Sequence, residues 1–135
     1  MPTLARTIEP SDERGQRLLD REATLMRFGG DEPLLIEIAA VFVRTVPQLI
    51  ASVGAAVAGN ELKQAFHHAH SLKGAVAAFE APEVLRAFVQ LEAEAKSGDA
   101  AACAKTWPRA KELVEKLVVE LAIEPGNTDQ TQPGK

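Results

Sequence analysis

The chain has 135 residues, of which 46% are hydrophobic and 4% aromatic, and its 15 basic and 19 acidic side chains give a net charge of −4. This length suits one domain that buries about two thirds of its unfolded surface. An acidic balance and few aromatic side chains provide no basic stripe for a phosphate backbone, so we expect no nucleic-acid partner. Cys103 is the only cysteine. That excludes an internal disulfide and a thiolate metal cage, and it is compatible with a reducing cytoplasm.

Both ends of the chain have the composition of segments outside a core. Residues 1–11 contain Pro2 and Pro10 and no apolar period, which predicts a flexible arm. Residues 124–135 have nothing apolar to bury and are expected to be disordered. The N-terminus lacks the apolar stretch of a secretion signal, and no uncharged apolar run approaches the roughly 18 residues of a membrane span. We therefore expect a cytoplasmic protein with no membrane segment.

Residues 12–123 carry five segments with helical apolar periodicity, near 12–28, 32–58, 61–79, 82–97 and 100–123. Asp31, Asn60 and Asp99 stand where helix N-caps are expected. Pro47 should bend the second helix, and Pro108 should kink the last one or split off a short first segment. Nothing alternates like a strand. The fold class is therefore predicted to be all-α, an antiparallel up-down four-helix bundle with a short extra N-terminal helix.

One turn of the third segment has an unusual composition. It places His70, Lys73 and Gly74 at positions i, i+3 and i+4, which share one helix face. A glycine inside a helix lowers helix stability by about 1 kcal/mol relative to alanine, so we expect a structural or functional reason for it here. We interpret it as access, since a Cβ at position 74 would crowd the imidazole of His70. The helical wheel puts His70 on the exposed flank, away from the core-facing sector.

Glu92 in the fourth segment is the expected partner of His70. If Ala81 is the apex of a helical hairpin, the two residues lie equally far from the turn and are level with each other. The wheel of the fourth helix puts Glu92 among apolar residues, where a carboxylate costs several kcal/mol unless it finds a partner. A carboxylate that accepts from Nδ1–H of His70 leaves Nε2 unprotonated, outward and more basic.

These residues carry a resemblance to a known family. The run HSLKGA at 70–75, the Leu91-Glu92 pair and the stretch RFGGDEPLL at 27–35 resemble a histidine-phosphotransfer (HPt) domain, over roughly Leu18 to Leu121. The sequence departs from that family ten residues after the histidine, where Glu80 replaces a common glycine. Either the helix continues to the proline at 82, or the docking rim is altered.

The resemblance implies a function in a multistep phosphorelay. His70 would accept a phosphoryl group from a receiver-domain aspartate or a sensor (hybrid) histidine kinase and pass it to another receiver, with Lys73 offsetting its charge, Gly74 admitting the partner and Glu92 orienting the ring. The protein would be a carrier and not an enzyme with an ATP-binding kinase domain. It would need no cofactor of its own, with magnesium expected on the partner receiver.

Other interpretations of the same residues remain open. Glu92 could pair with Lys96 on its own helix, and Gly74 could serve packing against a neighbouring helix. His67 and His70 could contribute to a metal site, but no third ligand has suitable spacing, so we expect none. Four phenylalanines are interpreted as core residues and not as a cofactor site: Phe42, Phe66, Phe79 and Phe88. The competing function is an inert helical docking module or inhibitor, and in either case we expect a monomer.

Overall fold

A computed structural model describes residues 17–124. These residues form five helices and no strand: α1 (Arg21–Arg27), α2 (Glu32–Ala58), α3 (Leu62–Val76), α4 (Pro82–Lys96) and α5 (Ala100–Ala122). The predicted flexible arm at 1–11, the predicted helix start at 12–16 and the tail from 125 lie outside the described residues. The all-helical fold class is confirmed.

The four long helices enclose one apolar core. α2 packs against α3, α3 against α4, and α4 against α5, while α5 returns to pack against α2. Each helix contributes its apolar stripe, and the largest fully buried side chains include Leu35, Val46, Leu72, Phe88, Leu91, Leu117 and Leu121. α1 is short and packs against α2.

Two of the three predicted helix caps are confirmed. The Asp31 carboxylate accepts from the backbone N–H of Leu34 at 3.1 Å, and that of Asp99 accepts from Ala102 at 3.0 Å. The prediction for Asn60 is wrong, because Asn60 has a φ of +56° and belongs to the turn that ends α2. In that turn the N–H of residue 61 reaches back to the carbonyl of Ala56, which places a left-handed residue at 60.

Both interior prolines lie within continuous helices. Pro47 is inside α2 as predicted, and Pro108 is inside α5. The prediction that Pro108 could split off a separate first segment is wrong. Buried Cys103 and Ala110 anchor α5 to the core on either side of the proline, and these contacts outweigh the one lost backbone bond.

The connection from α3 to α4 differs from the prediction. α3 ends at Val76, three residues before the predicted end and well short of the proline. Glu80 is already in the connection, where its N–H donates to Thr24 Oγ1 at 2.9 Å and its carbonyl accepts from the N–H of Asp20 at 2.8 Å. The expected continuation of the helix through Glu80 is therefore wrong, because its backbone groups bind the α1 region instead of the preceding turn.

Within residues 17–124 the first helix begins at Arg21, so residues 17–20 are not helical, although we predicted a helix there. Asp20 caps α1 by accepting from the N–H of Ala23 at 3.0 Å, so Leu18 and Leu19 precede the helix. Leu19 is still buried in the core. At the other end, Glu124 is buried, and Arg21 Nε donates to it at 3.0 Å. Glu124 therefore belongs with the bundle, although we predicted it as the first residue of the tail.

α2 is long and apolar enough to cross a membrane by length and composition alone, with a window mean hydropathy of 1.8. Its inward side, from Leu35 to Val57, lies in the core between α3 and α5. Core helices pass the same test, so one such helix is weak evidence for a membrane span.

Candidate functional site

His70 lies on the solvent-facing side of α3. Its neighbours in the same helix, Ala69 and Leu72, are fully buried, and this apolar pattern fixes the rotation of α3 about its axis. The rotation leaves 61% of the His70 side chain exposed. The predicted exposed flank is confirmed.

Glu92 reaches the ring from α4. Its Oε2 lies 2.5 Å from Nδ1 of His70, while only 13% of its side chain is exposed. α4 begins beside the turn that ends α3, so the two helices run side by side and bring residues 22 apart in sequence into contact. The predicted approach of a half-buried acid to the histidine is present.

Lys73 completes the cluster by binding the other oxygen of the same carboxylate. Its Nζ lies 2.6 Å from Glu92 Oε1, and 29% of its side chain is exposed. The structure therefore brings three of the four predicted site residues into one bonded group. It joins Glu92 to Lys73 on the adjacent helix, whereas the alternative we considered was Lys96 on its own helix.

The electrostatics of this group determine which nitrogen of the ring is free. The bond from Lys73, with a smaller contribution from His70, lowers the pKa of Glu92 below its ordinary range, although burial acts in the opposite direction. An ionised carboxylate only accepts hydrogen bonds, so the proton of a neutral His70 ring lies on Nδ1. Nε2 then carries the free lone pair, on the edge of the ring that faces away from Glu92.

Gly74 does not act as we predicted from the sequence. A Cβ built at this position meets nothing within 4 Å, so it would not crowd the imidazole, and Gly74 does not serve packing against another helix either. The reason is that position 74 faces solvent. Gly74 instead leaves a strip of bare helix backbone on the outer surface, one turn after His70.

Phe66 is a member of the site that the sequence interpretation assigned to the core alone. Its ring stacks on the imidazole of His70 with centroids 6.0 Å apart and an interplanar angle of 20°. Phe66 is half-buried and packs against the core from the preceding turn of α3. The i, i+4 spacing of the two residues was the signal that could have revealed the contact.

The surroundings of His70 are open surface. Three grooves of about 570, 360 and 310 Å³ lie on α2, between α2 and α5, and beside the N-terminal segment, and His70 lines none of them. Small-molecule sites are usually concave pockets, and none of these three grooves includes His70. Within residues 17–124, no group of three or more His, Cys, Asp or Glu side chains is arranged to hold a metal ion.

A second cluster of carboxylates lies at the far end of α5 and was not predicted. Glu120 accepts from the backbone N–H groups of Leu18 and Leu19 at 2.8 and 2.9 Å. Glu124 is paired with Arg21 and lies 4.0 Å from Arg17. Both acids are buried. We name this group, Glu120 and Glu124 with Arg17 and Arg21, the N-terminal clasp.

Cys103 is buried and free, and its burial raises the pKa of its thiol, followed in effect by the nearby Glu94 and Asp99 carboxylates. A thiol of this kind is a poor nucleophile. Cys103 is therefore a core residue.

Comparison with known proteins agrees with the geometry of the α3–α4 cluster. The family model described as "Hpt domain" matches residues 37–121, which include His70 and Glu92 and span well over half of the chain. Comparisons with curated proteins and with solved structures find no match. An exposed histidine backed by an acid on the neighbouring helix of an all-helical bundle, matched by this model over most of its length, makes the chain a member of the Hpt domain family.

Proposed function

We propose that this protein is a histidine phosphotransfer protein of a two-component phosphorelay, with His70 as the phosphoryl acceptor. The observation that carries the proposal is the exposed imidazole whose Nδ1 is held by Glu92, so that Nε2 is the free nitrogen. Membership of the Hpt family supports a role in phosphorelay signalling.

The chemical step is an in-line displacement at phosphorus. The Nε2 lone pair attacks the phosphorus of an aspartyl phosphate on a receiver domain, the new N–P bond forms, and the P–O bond breaks to release the aspartate carboxylate. The reverse step on a second receiver regenerates His70. With no proton on Nε2, attack requires no base.

Glu92 and Lys73 have supporting roles in this proposal. Glu92 holds the ring by Nδ1 and offsets the positive charge that the imidazole acquires when Nε2 is phosphorylated. Lys73 keeps Glu92 ionised and places a cation one turn from the incoming phosphoryl group. Its bond to Glu92 means that direct contact with the phosphoryl group would require Lys73 to turn away from the acid.

Gly74 is proposed to admit the partner. A side chain here would contact nothing inside the protein, so the open backbone is available to a docking surface. Gly74 does not clear space for the imidazole ring itself.

The proposed partners are receiver domains of response regulators and a sensor or hybrid histidine kinase, which would supply the aspartate or the kinase chemistry and the magnesium ion. The protein would be a cytoplasmic monomer and a carrier, not a kinase. Its scaffold is proposed to be an antiparallel up-down bundle, supported by the short connections and by the closed order of helix packing.

The experiment is to incubate the 135-residue chain with a phosphorylated receiver domain and magnesium. We expect an acid-labile phosphate on the wild type and none on His70→Gln. His67→Gln, which changes a neighbouring exposed histidine, is the matched control and should still be labelled. Receiver binding without label on the wild type would favour the alternative function, an inert docking module or inhibitor.

A further inference from the structure

We propose that Phe66 is a positioning residue for phosphoryl transfer, which holds the imidazole of His70 against rotation so that Nε2 stays directed at the partner. This inference rests on the proposed function of His70. It assigns a role to a side chain that the fold alone would classify as part of the core edge.

The two restraints on the ring act at different places. Glu92 binds one atom of the edge, Nδ1, and a single hydrogen bond leaves the ring free to swing about that contact. Phe66 packs against the ring in a nearly parallel arrangement, with an interplanar angle of 20° and a centroid distance of 6.0 Å that lies within the range of aromatic pairs. Together they restrict the ring in two directions.

Phe66 can act this way because it is itself anchored. It is half-buried and packs against the core, and its edge is also contacted by the ring of His67 at a centroid distance of 5.5 Å. A ring fixed to the core transfers that rigidity to the exposed imidazole. In-line attack depends on the orientation of the nucleophile, so a freely rotating ring spends less time in reactive geometry.

The test compares three variants of the full chain in transfer from a phosphorylated receiver. Phe66→Leu keeps an apolar side chain at the core edge and removes the stack, and we expect the maximal single-turnover transfer rate to fall about 3- to 10-fold, with the half-saturating receiver concentration unchanged. Phe66→Tyr keeps the aromatic face and should retain the wild-type transfer rate. Phe28→Leu changes a half-buried phenylalanine that packs on Phe79, and it should lose stability without losing transfer rate.

A receiver-independent measurement separates this proposal from the proposed function. Phosphoramidate, a small phosphoryl donor, modifies histidine directly, and ³¹P NMR distinguishes Nε2 from Nδ1 products. Slower Nε2 labelling of Phe66→Leu than of wild type supports the positioning role even if no receiver transfers to the protein. Equal labelling and equal single-turnover transfer rates for Phe66→Leu and wild type would overturn it, as would a Tyr variant as slow as the Leu variant.

Discussion

The site at His70 and the N-terminal clasp contain the same kinds of chemical group but serve different purposes. In each, a largely buried carboxylate binds N–H donors and a cation from another part of the chain. Glu92 binds Lys73 and the imidazole of His70, whereas Glu120 binds two backbone amides and lies 3.8 Å from Arg17. The difference is the nature of the donor, because the imidazole has a second nitrogen and a backbone amide does not.

That difference determines what each acid can do. When Glu120 accepts from the amides of Leu18 and Leu19, it influences no second reactive atom. Its effect is to attach the N-terminal segment to α5. When Glu92 accepts from Nδ1, it sets the state of Nε2 on the exposed edge of the ring. A paired, buried carboxylate is therefore not a sign of function in itself, and the chemistry of its partner must be considered.

Removing Glu120 should have the largest effect, and on stability alone. Glu120→Ala leaves two amides without their acceptor, and we expect unfolding free energy to fall by about 2–4 kcal/mol. Urea denaturation measures this loss. Glu112→Ala, which removes an exposed i,i+3 partner of Arg109, should cost below about 0.5 kcal/mol. Impaired phosphoryl transfer with unchanged stability in Glu120→Ala would remove the distinction between the two clusters.

Removing Glu92 should have the converse effect. Glu92→Ala frees the imidazole, so we expect the transfer rate to fall about 10- to 100-fold, while receiver binding weakens less. Single-turnover transfer and equilibrium binding to the receiver measure the two quantities. The matched control is Glu83→Ala on the same helix, which removes only the exposed ion pair with Arg109 and should transfer at the wild-type rate. Equal rates for Glu92→Ala and wild type would contradict the assigned role.

Lys73→Met should reduce transfer several-fold and shift the acid sensitivity of the site. The pKa of Glu92 is lowered chiefly by Lys73. The bonds of the Glu92 carboxylate to Lys73 and His70 are therefore fully formed above pH 4.5, the ordinary pKa, and are lost as the pH falls through the lowered pKa. Without Lys73 the pKa rises, and the Nδ1–H···Oε2 bond is lost at a higher pH. A ¹³C NMR titration of the Glu92 carboxyl carbon measures the shift, and an unchanged midpoint would show that Lys73 does not control this acid.

Gly74→Ala should have the smallest effect. Because the added methyl group contacts nothing, the fold should gain up to about 1 kcal/mol from helix propensity, with stacking and transfer by His70 unchanged. Thermal denaturation measures the gain. Gly74→Gln presents a larger group to the partner and should weaken receiver binding while the free protein stays folded. Unimpaired binding of Gly74→Gln would leave the glycine without a docking role.

Much of the site could be predicted from the sequence because helices have fixed geometry. The exposure of His70 followed from the apolar period of α3, and its contact with Glu92 from counting residues around a hairpin and from the wheel of α4. Counting residues from the hairpin apex gives the correct contact between His70 and Glu92 although α3 ends at Val76, because the connecting residues still return the chain beside α3.

Contacts between distant parts of the chain cannot be predicted from helix geometry. The run Ala77-Ala78-Phe79 is compatible with a helix, and only the pairing of Glu80 with Thr24 and Asp20 shows why the helix stops. The crowding assigned to Gly74 was wrong because helical spacing places two side chains on one face but does not fix their separation.

The all-helical class, the caps at Asp31 and Asp99, and the approach of Glu92 to His70 could be predicted from the sequence, because they follow from short-range geometry and from which face of each helix is apolar. The folded structure adds that Lys73 shares that acid, that the ring of Phe66 stacks with the imidazole, and that Glu120 binds the N-terminal segment. The i, i+4 spacing puts Phe66 and His70 on one helix face but does not fix their rotamers, and the contacts of Lys73 and Glu120 join segments that meet only after the chain has folded.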